Sequence, residues 1–198
     1  MTEPDWILLA GLSGLIPEDE GRELARLAAL VPPTTPIVEI GSYKGKSTSY
    51  LATGAKHGLG AHVFAVEPWD TPGNVSGKHG FTDPKVKQAF YRQINMAGVR
   101  FQITAIQGFG PEVGKRWPDM YGYPVGMLFI DGDHSQKSVQ ADLDAWLPHM
   151  ADTGVVAFDD FDTPRNPGVR RVVDKFSAQS GLPYGVLADR LAVFYLDP

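Results

Sequence analysis

Ile37-Val38-Glu39-Ile40-Gly41-Ser42-Tyr43-Lys44-Gly45-Lys46-Ser47 begins with a short apolar run, turns through two glycines and leads into a helical pattern over Ser47 to Ala55. It reads as a buried strand, a tight turn and a helix. Upstream, Pro17 with Glu18, Asp19 and Glu20 marks a helix start. Leu24, Leu27, Ala28 and Val31 form its apolar stripe, and Pro32-Pro33 stops it, so residues 1–35 make an N-terminal helical segment. Downstream, further strands are expected at His62–Glu67, Phe101–Ile106, Val125–Ile130 and Gly154–Phe158. Helices are expected from Asp83-Pro84, with Val86, Phe90 and Ile94 on one face, from about Ser138, with Val139, Leu143, Trp146 and Leu147, and around Val169–Ala178. A β-α order repeated five times predicts an α/β, doubly wound, mostly parallel sheet in three α/β/α layers. Tyr184–Leu187 and Leu191–Leu196 break the rhythm: only Ala188-Asp189-Arg190 separates them, which forces a C-terminal antiparallel β-hairpin.

The chain has 198 residues, 43% hydrophobic and 21% charged, which suits one domain over 1–198 with a full core. Its net charge of -5, without a long basic run, argues against a nucleic-acid partner. There is no cysteine, so disulfides, thiolate metal sites and a cysteine nucleophile are excluded. The apolar run Trp6–Leu12 is too short for a bilayer and follows Glu3 and Asp5 rather than basic residues; no signal peptide and no membrane partner are expected, and a cytoplasmic location is. The composition is compatible with a homo-oligomer. Trp69 to Thr82, the candidate lid over 69–82, is the one long irregular stretch.

A sheet of this kind binds ligands beyond the carboxyl ends of its strands, so the turn after Ile40 is the first place to look. A phosphate-binding P-loop needs four residues between its first glycine and Gly-Lys-Ser, and Gly41 to Gly45 leaves three. A dinucleotide fingerprint needs glycine at 43, where tyrosine stands, which weakens an NAD reading. An acid followed by Gly-x-x-x-Gly resembles motif I of the class I S-adenosylmethionine-dependent methyltransferases. A parallel sheet closed by an antiparallel hairpin likewise resembles the Rossmann-like methyltransferase outline. That resemblance implies cofactor contacts at Glu39, Gly41, Ser42, Tyr43, Gly45 and Ser47, and near Gly108-Phe109 after the third strand. Glu67, ending the second strand, would accept hydrogen bonds from ribose hydroxyls. A purely structural tight turn would need the same glycines.

Two acidic turns follow the fourth and fifth strands, Ile130-Asp131-Gly132-Asp133-His134 and Phe158-Asp159-Asp160-Phe161. Were these strands parallel neighbours, Asp131, Asp159 and Asp160 would meet at the sheet edge that carries the glycine turn. Three carboxylates repel one another unless protons or a cation neutralise them, and oxygen ligands suit Mg²⁺, with Mn²⁺ or Ca²⁺ as substitutes. The competing reading makes these acids helix caps, and Asp133 is expected to be one. His134 is the candidate general base, since an imidazole exchanges protons near neutral pH; a lone histidine is otherwise a solvated one. Tyr43, Trp69, Phe81 and Phe161 are candidate adenine or substrate walls, or else core. Lys44, Lys46 and Arg165 read as solvated, Arg165 with an alternative role toward an anionic substrate.

VEIGSYKGKSTSYLA (38–52), FIDGDHSQKSVQADLDAW (129–146) and GVVAFDD (154–160) together resemble the family of macrocin- and mycinamicin-type sugar O-methyltransferases. The resemblance spans roughly residues 35–198. It implies S-adenosyl-L-methionine as methyl donor, Mg²⁺ at the positions of Asp131, Asp159 and Asp160, and a histidine base at His134, with Asp131 shared by cofactor, metal and catalytic roles. Family members often carry Glu-Asp where this chain has Asp159-Asp160. Cephalosporin hydroxylase-like sequences share similar motifs, so the substrate does not transfer. The expected partner is a small-molecule hydroxyl acceptor, a vicinal diol of a sugar or catechol that a metal can chelate. A metal-independent methyltransferase and a non-catalytic nucleoside-binding module remain as alternatives.

Overall fold

The computed structural model of the chain describes residues 3–69, 84–164 and 167–196. Two helices come first, α1 (Trp6–Ala10) and α2 (Glu18–Ala29). Then follow β1 (Ile37–Ile40), α3 (Lys46–His57), β2 (Val63–Glu67), α4 (Pro84–Met96), β3 (Ile103–Gln107), α5 (Gly110–Met120), β4 (Val125–Ile130), α6 (Gln136–Trp146), β5 (Met150–Phe158), α7 (Pro167–Ser180), β6 (Tyr184–Leu187) and β7 (Leu191–Tyr195).

The described strands form a seven-stranded sheet in the order β3-β2-β1-β4-β5-β7-β6. The pairs from β3 to β5 are parallel; β7 is antiparallel to both β5 and β6. The expected doubly wound sheet and C-terminal hairpin are both present. Side chains alternate across it. Ile37, Met127 and Phe129 join a core with α1 to α4, while Val38, Leu128 and Ile130 join a second core with α5 to α7. Burial on both faces explains why β1, β2 and β4 read as apolar runs rather than as alternation. No helix among the described residues is long and apolar enough to cross a membrane.

Several expectations shift. Phe101 is not in the third strand; it lies in a 3-10 turn over Arg100–Gln102 and is 99% exposed. Its β-favouring ring is outweighed by that turn, and the strand begins at Ile103. β5 starts four residues before the expected Gly154, at Met150. α5 is implied by the repeated β-α order but was not located, because Gly110, Pro111, Gly114 and Pro118 hide its pattern. Pro111 is harmless in a first turn, and Val113 and Trp117, four apart, carry the buried face. The lid stretch contributes only Trp69 to the described residues; residues 70–82, with Phe81, lie outside them, as does Arg165.

Candidate active site

The strand order reverses between β1 and β4, and the glycine turn leaves β1 at that crevice. Gly41 has φ +92°, and a Cβ there would stand 2.1 Å from the carbonyl oxygen of Asp131. The turn therefore crosses the end of β4 backbone to backbone, which only glycine permits. Gly45 has φ +85°, and a Cβ there would meet the Phe90 ring at 2.8 Å. Beneath the turn Glu39 is fully buried, and its Oε2 accepts a hydrogen bond from Thr48 Oγ1. Burial pushes its carboxyl up to about 7, against the opposing hydroxyls of Ser47, Thr48 and Ser42. Ser42 and Ser47 are buried too; Lys44 and Lys46, expected to be solvated, are half-buried, and Lys44 Nζ lies 4.9 Å from the Tyr43 ring centroid.

Glu67 ends β2 and is 5% exposed. Its Oε2 accepts from the Tyr43 N–H at 2.8 Å and its Oε1 from the Trp69 N–H at 3.4 Å. Tyr43 and Trp69 both have positive φ, 44° and 37°, so two strained residues aim their amides at one carboxylate. Burial raises the Glu67 carboxyl while these amides oppose the rise. Each oxygen keeps a lone pair for a further donor. The Gly108 N–H donates to the Glu67 carbonyl at 3.2 Å, so the Gly108-Phe109 turn lies beside it. Trp69 and Phe161 are core side chains, at 2% and 3% exposure, and not walls of an open pocket.

β4 and β5 are parallel neighbours, with Ile130 opposite Phe158, so their acidic turns do converge. His134 stands among the three acids: its Nε2 is 3.5 Å from Asp131 Oδ1 and 3.8 Å from Asp159 Oδ2, and its Nδ1 is 3.4 Å from Asp160 Oδ2. The capping reading fails. Ser135 caps α6, its Oγ accepting from Ser138 N at 3.3 Å, while Asp133, two residues before the cap, accepts from the Ser135 N–H and the Ser138 hydroxyl. α7 starts at Pro167, too far along the chain for Asp159 or Asp160 to cap it.

Two members of this site were not foreseen. Glu20 on α2 is fully buried, and Arg190, from the β6–β7 turn, places its Nε 3.1 Å from Glu20 Oε2 and 3.1 Å from Asp159 Oδ1. Burial and the neighbouring Asp159 raise Glu20; burial and Asp159 likewise raise Asp131. Burial would raise Asp159 as well, but hydrogen bonds from Glu20 and Asp131, with Arg190 and His134 close by, hold it below the ordinary carboxylate range. The cluster thus favours the charged form at Asp159 over its two neighbours. Asp131, His134 and Asp159 each offer one ligand atom, all within 4.8 Å of one another. Two carboxylate oxygens and an imidazole nitrogen are a donor set that fits a divalent cation, Mn²⁺ as well as Mg²⁺.

Comparison with known proteins agrees with the fold. The O-methyltransferase from Bacillus cereus, solved with SAH, superimposes with a TM-score of 0.68 at 18% identity, over 94% of this chain and 85% of that one. TomG of Streptomyces achromogenes, an O-methyltransferase of tomaymycin synthesis solved with SAM, gives 0.67 at 18% identity, over 93% and 82%. The calicheamicin methyltransferase CalS11 gives 0.65 at 19% identity, over 89% and 77%. At these identities the likeness is one of fold. A family model described as a methyltransferase domain matches residues 38–161, which spans the glycine turn, Glu67 and every acid of the two turns. The chain belongs to that methyltransferase-domain family.

Proposed function

We propose that this chain is an S-adenosylmethionine-dependent O-methyltransferase that acts on a hydroxyl of a small molecule, with a divalent cation, Mg²⁺ or Mn²⁺, in its acid cluster. The observation that carries the reading is the pairing, at one sheet edge, of the Glu67 carboxylate braced by two strained amides with an imidazole set among three aspartates. S-adenosylmethionine, when bound, supplies an electrophilic methyl group on a sulfonium. A divalent cation, held by Asp131 and Asp159, supplies Lewis acidity that makes an alcohol easier to deprotonate.

The chain's own residues do the rest. Glu67 is preorganised to accept from ribose hydroxyls, because each of its oxygens keeps a lone pair beyond the amide that holds it. Gly41 and Gly45 bring backbone rather than side chains to the methionine part. Asp160 Oδ2 beside His134 Nδ1 favours the tautomer with hydrogen on Nδ1, which leaves Nε2 to take the acceptor's proton. S-adenosylmethionine would supply the methyl group and keep the carbon–sulfur bonding pair on its sulfur, while His134 Nε2 would hold the acceptor's proton. A vicinal diol, of a sugar or a catechol, would suit two-point capture in this cluster.

A second reading rests on the cluster geometry itself: His134 Nε2 could be a third ligand instead of the base. The test is the Mn²⁺ affinity and single-turnover rate of His134→Ala, with S-adenosylmethionine and a panel of diol acceptors. We expect Mn²⁺ affinity to hold while the rate falls; a loss of Mn²⁺ affinity would favour the ligand role. If Asp159→Asn kept full turnover in chelator, the divalent-cation reading would be wrong.

A further inference from the structure

A cation already stands among the acids. Arg190 grips Asp159 at Oδ1 with Nε and Nη2, both at 3.1 Å, and reaches Oδ2 only at 3.4 Å. Its Nη2 also binds Asp160 through Oδ1. In each aspartate the other oxygen is the one nearest His134: Asp159 Oδ2 lies 3.8 Å from Nε2 and Asp160 Oδ2 lies 3.4 Å from Nδ1. Adjacent carboxylates in one turn would otherwise swing apart, and Asp160 sits in a left-handed backbone conformation, φ 57°.

Arg190 is itself held from two sides. Its Nε lies 3.1 Å from Glu20 Oε2, so fully buried Glu20 on α2 anchors the guanidinium behind the site. Its carbonyl accepts from the Phe161 N–H at 2.9 Å, which ties the hairpin turn to the chain just past Asp160. A planar fork can serve two carboxylates and a third behind them at once, which a lysine ammonium on a flexible stem cannot.

We propose that Arg190 is the positioning residue of the acid cluster, turning one oxygen each of Asp159 and Asp160 toward His134. The assignment rests on the divalent-cation reading above. It goes further in giving the C-terminal hairpin a part in the site, and it opposes a simpler role for Arg190 as mere countercharge. A countercharge competes with a bound cation, so its removal would tighten cation binding. A positioning residue prepares the ligands, and removing such outer partners typically weakens metal affinity by about 10- to 100-fold.

The test is Mn²⁺ binding, followed by electron paramagnetic resonance without S-adenosylmethionine or acceptor, on the wild type, Arg190→Met and Arg190→Lys. The expected result is a loss of about 10- to 100-fold for Arg190→Met and an intermediate loss for Arg190→Lys, with S-adenosylmethionine affinity, read by calorimetry, kept by both. Should Arg190→Met fail to fold, shown by lost S-adenosylmethionine binding, Arg190→Lys decides. Unchanged or tighter Mn²⁺ binding in the folded variants overturns the assignment while leaving the divalent site standing. A wild type that binds S-adenosylmethionine but no Mn²⁺ removes the divalent site, and the positioning role with it.

Discussion

The proposed roles of Glu67 and His134 differ in their chemistry at one edge of the sheet, and single substitutions separate them. Glu67→Ala removes an acceptor that two backbone amides hold in place. Losing hydrogen bonds to a charged group costs about 1.5–3 kcal/mol, so S-adenosylmethionine affinity should fall roughly 10- to 150-fold in a calorimetric titration, with Mn²⁺ affinity intact. His134→Ala should leave cofactor affinity in place and lower the methyl-transfer rate by about 10²- to 10⁴-fold, the usual contribution of a positioned base. A fully active His134→Ala would end its assignment. Glu67 and the three aspartates were legible because an acid directly after an apolar strand has few other reasons to be there. The Tyr43 and Trp69 amides were not, since they act through positive φ at residues that ordinarily avoid it.

Among the elements, the glycine turn and α6 carry the clearest consequences. Gly41→Ala would set a Cβ 2.1 Å from the Asp131 carbonyl oxygen at a backbone φ of +92°. A loss of about 2 kcal/mol or more is expected in urea unfolding, together with weaker cofactor binding as β4 shifts away from β1. α6 buries Asp142 at 5% exposure, its Oδ1 without a hydrogen-bond partner among the described residues, and burial, with Asp133 nearby, pushes its carboxyl up to about 7. A carboxyl raised on folding stabilises when protonated, so this contribution is present at acid pH and is lost as pH rises toward and through about 7. Urea unfolding from pH 5 to pH 8 should therefore show Asp142→Asn gaining on the wild type as pH rises; a constant difference would contradict the shift. The strands of the parallel sheet were readable from apolar runs, whereas α5 was not, because Gly110, Pro111, Gly114 and Pro118 all act as breakers in an unfolded reading. Tertiary burial of Val113 and Trp117 overrides them.

At the scale of the molecule, the site joins parts far apart in sequence. β1 and β2 supply the proposed cofactor half, β4 and β5 the acids, and α2 and the β6–β7 turn supply Glu20 and Arg190. The last two escaped the sequence reading for a physical reason. Glu20 reads as one of three acids in a helix's first turn, and Glu18 beside it does serve there, in an ion pair with Arg22. Arg190 can be placed only once β5 and β7 are known to pair antiparallel with Phe158 opposite Ala192, a register that carries residue 190 alongside Asp160. Glu20→Gln should leave S-adenosylmethionine binding unaltered and lower Mn²⁺ affinity less than Arg190→Met does, since it loosens the guanidinium's rear anchor without removing the fork.

The central claim is that this crevice binds S-adenosylmethionine for methyl transfer. Calorimetric titration of the purified protein with S-adenosylmethionine, once with Mn²⁺ and once with chelator, and with NADH as the control ligand, addresses it directly. The account predicts S-adenosylmethionine binding in both conditions, abolished or strongly weakened by Glu67→Ala, and none for NADH. Absence of S-adenosylmethionine binding in both conditions would contradict it.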